Sequence, residues 1–169
     1  MNEPFMLRQL GESDAATYRE LRLEGLSANP DAFGASFEEE ECMSLSWFED
    51  RLENNIIFGG YANDHALVGV AGLMIPTSTK LRHKGTLWGM FLRPEARGTG
   101  LARSLAERII ERAEGIVEEV LLTVVTSNVS AVRLYEDLGF EKYGLERRAL
   151  KVEGRYSETL LMALILKES

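Results

Sequence analysis

The stretch Arg93–Ser104, Arg-Pro-Glu-Ala-Arg-Gly-Thr-Gly-Leu-Ala-Arg-Ser, constrains this chain more than any other. A β-rich run, Thr86–Leu92, leads into it, and a helical pattern, Leu101–Ala113, leads out. Pro94 stops the strand, because its ring fixes φ and removes a ladder donor. Gly98 and Gly100 let the backbone turn tightly and leave its N–H groups uncovered. The first turn of a helix has N–H groups without intrahelical partners and carries the positive end of the dipole. Strand, bare glycine turn and helix N-terminus together predict an anion cradle, most simply for phosphate.

Three phosphate-binding patterns compete for this stretch. A P-loop needs four residues between its glycines and then Gly-Lys-Ser or Gly-Lys-Thr, and no such run exists here. The dinucleotide fingerprint needs a third glycine where Arg103 stands, and an acid ending the next strand, where Val120–Val125 runs into Thr126. The third pattern, Arg/Gln-x-x-Gly-x-Gly/Ala, is met by Arg97, Gly100 and Ala102. Here the chain resembles the GNAT superfamily of N-acetyltransferases, whose pyrophosphate loop for acetyl-CoA has this form.

The rest of the chain reads as alternating short elements. Phe5–Leu10 is a first strand, and Ser13 is a plausible N-cap for a helix over Asp14–Ala28 with Tyr18, Leu21 and Gly25 or Leu26 inward. Asn29-Pro30-Asp31 breaks it, and a connection with two aromatics precedes four acids, Glu38–Glu41. Ser44 or Ser46 caps a second helix carrying Leu45, Phe48 and Leu52 on one face. Ile56–Ala62 and Ala66–Ile75 form a hairpin about Asn63-Asp64, and Gly85–Leu92 feeds the cradle. The cradle helix aligns Leu101, Leu105, Ile109 and Ala113. The apolar run Val120–Val125 predicts a strand buried on both faces. Helix Val129–Leu138 ends at Gly139, and Phe140–Val152 and Arg155–Leu166 form a last strand pair about Glu153-Gly154. The order β-α-α-β-β-β-α-β-α-β-β, without repeat or linker, predicts one mixed α/β domain over residues 1–169.

A second constellation lies downstream. Asn128, Ala131, Leu134, Tyr135, Gly139 and Phe140 fit Asn-x-x-Ala-x-x-Leu/Phe-Tyr-x-x-x-Gly-Phe, which resembles the other GNAT signature, and the order of elements is similar to that fold along nearly the whole chain. The resemblance implies a mostly antiparallel central sheet of about seven strands with about four helices, splayed at an acyl-CoA slot. It implies acetyl-CoA as co-substrate, with Met90, Phe91 and Leu92 pairing to pantetheine like an added strand. Arg97, Gly98, Thr99, Gly100, Leu101, Ala102 and Arg103 would hold its phosphates, and Asn128 its pantetheine arm. A backbone N–H near Met90 would polarise the thioester carbonyl. Tyr135, carried over from the family's helix tyrosine, would be the general acid for the departing thiolate. The glutamate that some peptide-modifying relatives place on the strand before Asn128 is missing, since Val120–Val125 offers only Thr123. Glu38 and Glu39 lie in the connection between the first two helices, which in the family forms one wall of the acceptor site, and Glu38 is the candidate amine-binding group or base.

Composition sets the outer bounds. With 45% hydrophobic and 27% charged residues, 169 residues bury a core without staples. A net charge of −8 argues against nucleic acid and anionic membranes and mildly favours a cationic acceptor. The one cysteine, Cys42, reads as a small buried or half-buried apolar residue, and the two histidines, His65 and His83, stand too far apart to predict a metal site. No signal peptide or membrane-spanning run is legible, so a cytoplasmic setting is expected. The expectation is an N-acetyltransferase for a primary amine, a small molecule or alternatively a protein N-terminus or lysine. A non-catalytic acyl-CoA sensor is the reading from another class, and a homodimer is left open.

Overall fold

The computed structural model describes residues 5–166. Its first half comprises β1 (Met6–Gln9), α1 (Ala15–Ala28), α2 (Phe37–Glu41), α3 (Leu45–Asn54), β2 (Ile56–Tyr61) and β3 (Leu67–Met74). The second half comprises β4 (Lys84–Leu92), α4 (Leu101–Ala113), β5 (Glu119–Val125), α5 (Val129–Asp137), β6 (Glu141–Val152) and β7 (Arg155–Ile165). The strands form one sheet in the order β1-β2-β3-β4-β5-β7-β6. Every neighbouring pair is antiparallel except β4 and β5, which α4 joins as a crossover. This is the mixed, mostly antiparallel sheet with four substantial helices that the sequence predicted; α2 is an added single turn.

The parallel pair is short. It runs from Lys84↔Glu119 to Thr86↔Leu121 and stops, although β4 continues to Leu92 and β5 to Val125. Beyond Thr86 each strand keeps its outer partner: Leu92 pairs with Gly69 of β3, and Val125 with Thr159 of β7. The sheet is thereby pulled open between two fixed halves. The local cause is a bulge. Trp88 pairs with Gly72 and Phe91 with Val70, so Gly89 and Met90 stand opposite Ala71 alone. Gly89 has φ +64, which a side chain would strain, and the bulge bends β4 away from β5.

Helices cover both faces. On one, α1 and α3 pack Tyr18, Leu21, Phe48 and Leu52 against Ile57, Val70 and Phe91. On the other, Leu101, Leu105, Ile109 and Ala113 of α4 are buried with Val120, Leu122, Val124 and Tyr135. The predicted α4 stripe is therefore the stripe observed.

Four local expectations need correction. β5 is buried on one face only: Thr123 is exposed, and Leu121 and Val125 half-buried, because the parted sheet leaves that face against open space. The acids after Phe37 are not a connection but α2, capped by Ser36 Oγ, which accepts from Glu39 N–H. Ser13 lies in a short 3-10 turn held by Asp14, whose carboxylate accepts the Gly11 N–H, while Ser44 rather than Ser46 caps α3. Cys42 is exposed, because it falls at the C-cap of the short α2 rather than on a buried stripe. Among the described residues, no helix is long and apolar enough to cross a membrane.

Candidate active site

The cradle begins where β4 ends. Arg93 donates its N–H to Val68 O, and its Nε to Glu24 Oε2 at 3.0 Å, tying the strand end to α1. Pro94–Ala96 form a 3-10 turn, and Gly98 (φ +72) and Gly100 (φ +90) swing the chain into α4. Apart from the adjoining residues of the chain, nothing lies within 4 Å of where a side-chain carbon at either glycine would stand. The turn is bare because of the space above it. Thr99 Oγ1 donates to Ala96 O, and Leu101 N–H lies 3.4 Å from that same hydroxyl oxygen. The Ala102 and Arg103 N–H groups belong to the first helical turn and have no intrahelical acceptor. With the helix dipole behind them, they make the turn favourable for an anion.

A cavity of about 720 Å³ rises from this turn along the gap in the sheet. Met90, Phe91, Leu92, Arg97, Gly98, Gly100, Ala102 and Arg103 line one side, and Val125, Asn128, Ala131, Leu134 and Tyr135 the other. A deeper chamber of about 130 Å³ shares Met90, Asn128 and Tyr135 with it and reaches Trp88, Gly89 and Thr123. The structure thus gathers both sequence constellations around one space. Two of the expected cofactor residues do not line it. Leu101 is buried beneath the turn, 1% exposed, and Thr99, although exposed, has its hydroxyl tied to Ala96 O and lies off the cavity wall. Arg97 donates Nε to Leu92 O at 3.3 Å, whereas Arg103 is exposed and paired with Glu107 at 2.9 Å.

Tyr135 is 6% exposed, stacked edge-on against Phe140 at 5.8 Å, and burial pushes its hydroxyl up to about 12. Desolvation disfavours the phenolate, so this hydroxyl remains a donor throughout the neutral range. Asn128 caps α5: its Oδ1 accepts from Ala131 N–H at 3.3 Å and from Ser130 Oγ at 3.3 Å. With Oδ1 so fixed, the amide group of Asn128 remains directed by the cap at the cavity wall.

Glu38 is exposed on α2 and is not among the residues lining either space; Asp31 is the carboxylate that lines the larger one. Sequence reasoning also passed over Phe33, Gly89 and Arg22. The Gly89-Met90 step inside a strand was the available signal for the bulge. For Arg22, spacing of four from Tyr18 placed it on the inward stripe, but a charged residue there is read as solvated unless a partner is known. Among the described residues no cluster of His, Cys, Asp and Glu is arranged for a metal ion.

A sheet that parts its parallel pair directly above an anion cradle holds a long, phosphate-tipped acyl carrier with its reactive end in the gap, and that is the architecture of an acyl-CoA-dependent acetyltransferase. The family model described as the acetyltransferase (GNAT) family matches residues 18–140, and the chain belongs to that family. The spermidine N(1)-acetyltransferase of Vibrio cholerae is 26% identical over 77% of this chain and 73% of its own length. The [ribosomal protein bS18]-alanine N-acetyltransferase of Salmonella typhimurium is 32% identical over 48% of this chain and 55% of its own length. A Salmonella typhimurium structure described as an acetyltransferase with its cofactor acetyl-CoA superposes with TM-score 0.80 at 20% identity, covering 98% of this chain and 95% of that one.

Proposed function

We propose that this N-acetyltransferase moves the acetyl group of acetyl-CoA to a primary amine of a small molecule, by direct attack within a ternary complex. The observation that carries this reading is the continuity of cradle, bulged slot and Tyr135 around a single cavity. When bound, acetyl-CoA supplies an activated thioester, whose carbonyl carbon an amine nitrogen converts to an amide as the carbon–sulfur bond breaks.

The chain's own residues do the rest. Gly98, Gly100 and the Ala102 and Arg103 N–H groups take up pyrophosphate, with Arg97 beside them. The β4 edge from Met90 to Leu92 lacks a β5 partner, so its backbone groups can pair with the pantetheine amides as an added strand. A backbone N–H near Met90, at the bulge, is the donor that would polarise the carbonyl and stabilise its developing negative charge. Tyr135 donates to the departing sulfur. Its value near 12 lies above that of a free thiol, about 8.5, so it keeps its proton and acts as a hydrogen-bond donor to the thiolate, while the proton that the nitrogen loses in forming the amide leaves to solvent. Holding both reactants in one slot supplies much of the rate. Glu38 has no place along this cavity, and Asp31 is the better-sited carboxylate for drawing in an ammonium group.

The small deeper chamber favours a small acceptor. Similarity to a ribosomal-protein N-acetyltransferase supports a peptide amine as the second reading. Calorimetric titration of acetyl-CoA, paired with thiol release against amino acids, polyamines, aminoglycosides and short peptides, tests the proposal. Binding with acceptor-dependent release is expected. Gly100→Val places a branched side chain at φ +90 in the cradle and is expected to weaken acetyl-CoA at least about 10-fold. Undiminished binding by a folded variant removes the cradle assignment.

A further inference from the structure

We infer that the acceptor carries an anionic group, in the simplest case a carboxylate, next to the amine that is acetylated. This deepens the acetyltransferase reading and rests on it. The inference starts at Arg22, which α1 turns inward and leaves only 5% exposed. Its Nε donates to Glu40 Oε1 at 3.0 Å and its Nη2 to Glu40 Oε2 at 2.9 Å. Arg51 Nη1 donates to the same Glu40 Oε1 at 3.0 Å. One buried carboxylate therefore serves two guanidinium groups, and the cluster keeps a positive charge.

The surplus has a direction. Arg22 Nη1 is buried and has no acceptor. It faces the β4 bulge: a side-chain carbon at Gly89 would stand 3.6 Å from it. The Trp88 indole, next to Gly89 in sequence, packs its Nε1 edge over Gly72 of β3, where a side-chain carbon would stand 2.8 Å from that nitrogen. The guanidinium of Arg22 lies 5.5 Å from the Trp88 ring and 5.2 Å from the Phe33 ring. Those aromatic faces offset part of its charge but accept no conventional hydrogen bond. Trp88, Gly89 and Phe33 all line the deeper chamber.

Burying a charged donor without an acceptor is costly, and the cost disappears when a ligand supplies one. The donor sits beside the bulge that receives the acyl carbonyl. An α-amino acid carries its amine and carboxylate on one carbon, so a carboxylate at Nη1 leaves the amine at the bulge. A polyamine would instead bring a second cation against a cluster that is already positive. The overall charge of −8 favours cations at long range, but the charge that stands directly behind Phe33, Trp88 and Gly89 of the chamber wall is the positive one of Arg22.

The test compares standard amino acids with the amines made by deleting their carboxylates, such as methionine with 3-(methylthio)propylamine. Thiol release is expressed per unprotonated amine, and acetyl-CoA binding is followed by calorimetry. At least one acid is expected to exceed its matched amine about 10-fold or more in kcat/KM. Arg22→Lys, which keeps charge and deletes Nη1, is expected to move that ratio toward unity, with folding checked by circular dichroism. If acetyl-CoA binds but matched amines react as well as the acids, or no acid reacts, the inference is overturned and the cofactor reading stands. An unchanged ratio in folded Arg22→Lys also overturns it. Absence of acetyl-CoA binding overturns the parent reading and this one together.

Discussion

Tyr135 shows how one side chain is tuned by its surroundings. Val132, three residues before it, and Phe140 exclude water from its ring, and desolvation alone pushes the hydroxyl up to about 12. Tyr135→Phe is expected to lower kcat about 10–100-fold with little change in acetyl-CoA affinity, measured by steady-state rates and calorimetry. The same shift has a consequence for stability. A folded-state value above the ordinary 10.0 means that the folded protein holds this proton more tightly than the unfolded chain does. The resulting stability is complete below pH 10 and lost as pH rises toward 12. Alkaline melting curves should therefore show wild type losing ground to Tyr135→Phe across that interval and not below it.

Elements inherit their positions from such contacts. The one-turn α2 is too short to persist by helix propensity, and it is held by Glu40, whose carboxylate lies 4% exposed between Arg22 of α1 and Arg51 of α3. Glu40→Gln leaves the buried Arg22 and the half-buried Arg51 guanidinium groups without their counter-ion. It is expected to cost about 3–5 kcal/mol, lowering Tm by about 10 °C in a thermal melt. The contrast with Arg8–Asp14 is instructive: that pair is bidentate, and the guanidinium holds the Asp14 carboxyl below its usual range, but Arg8 is largely exposed and water competes for it. The β4 bulge works at the same scale, converting a continuous sheet into two halves with a slot between them.

For the whole molecule, the slot is also a weakness. Its halves meet through three parallel register pairs, Lys84↔Glu119 to Thr86↔Leu121, and through the helices beneath. A ligand that bridges β4 and α5 crosses that opening. Acetyl-CoA at a hundred times its Kd is expected to stabilise the protein by about 2.7 kcal/mol, a rise in Tm of about 5–10 °C in calorimetric scans. No rise at saturating acetyl-CoA would show that the ligand does not bind the folded state.

Much of this arrangement was already written in the chain, because its causes are local. Pro94, Gly98 and Gly100 dictate a turn wherever they occur, the spacing from Leu101 to Ala113 dictates a buried stripe, and Asn128 to Phe140 place Tyr135 about two helical turns beyond a cap. Those rules act over a few residues, so the element order, the cradle and the tyrosine were legible without the fold. Partnership across the structure was not. Nothing near Arg22 announces Glu40, 18 residues away, or the Trp88 ring that a bulge in β4 brings against it. Glu38–Glu41 read as a uniform acidic run, yet folding buries Glu40 and leaves Glu38 in solvent. Whether a charge is a solvated surface group or a buried, directed donor depends on which distant side chains exclude water from it, and only the tertiary structure decides that.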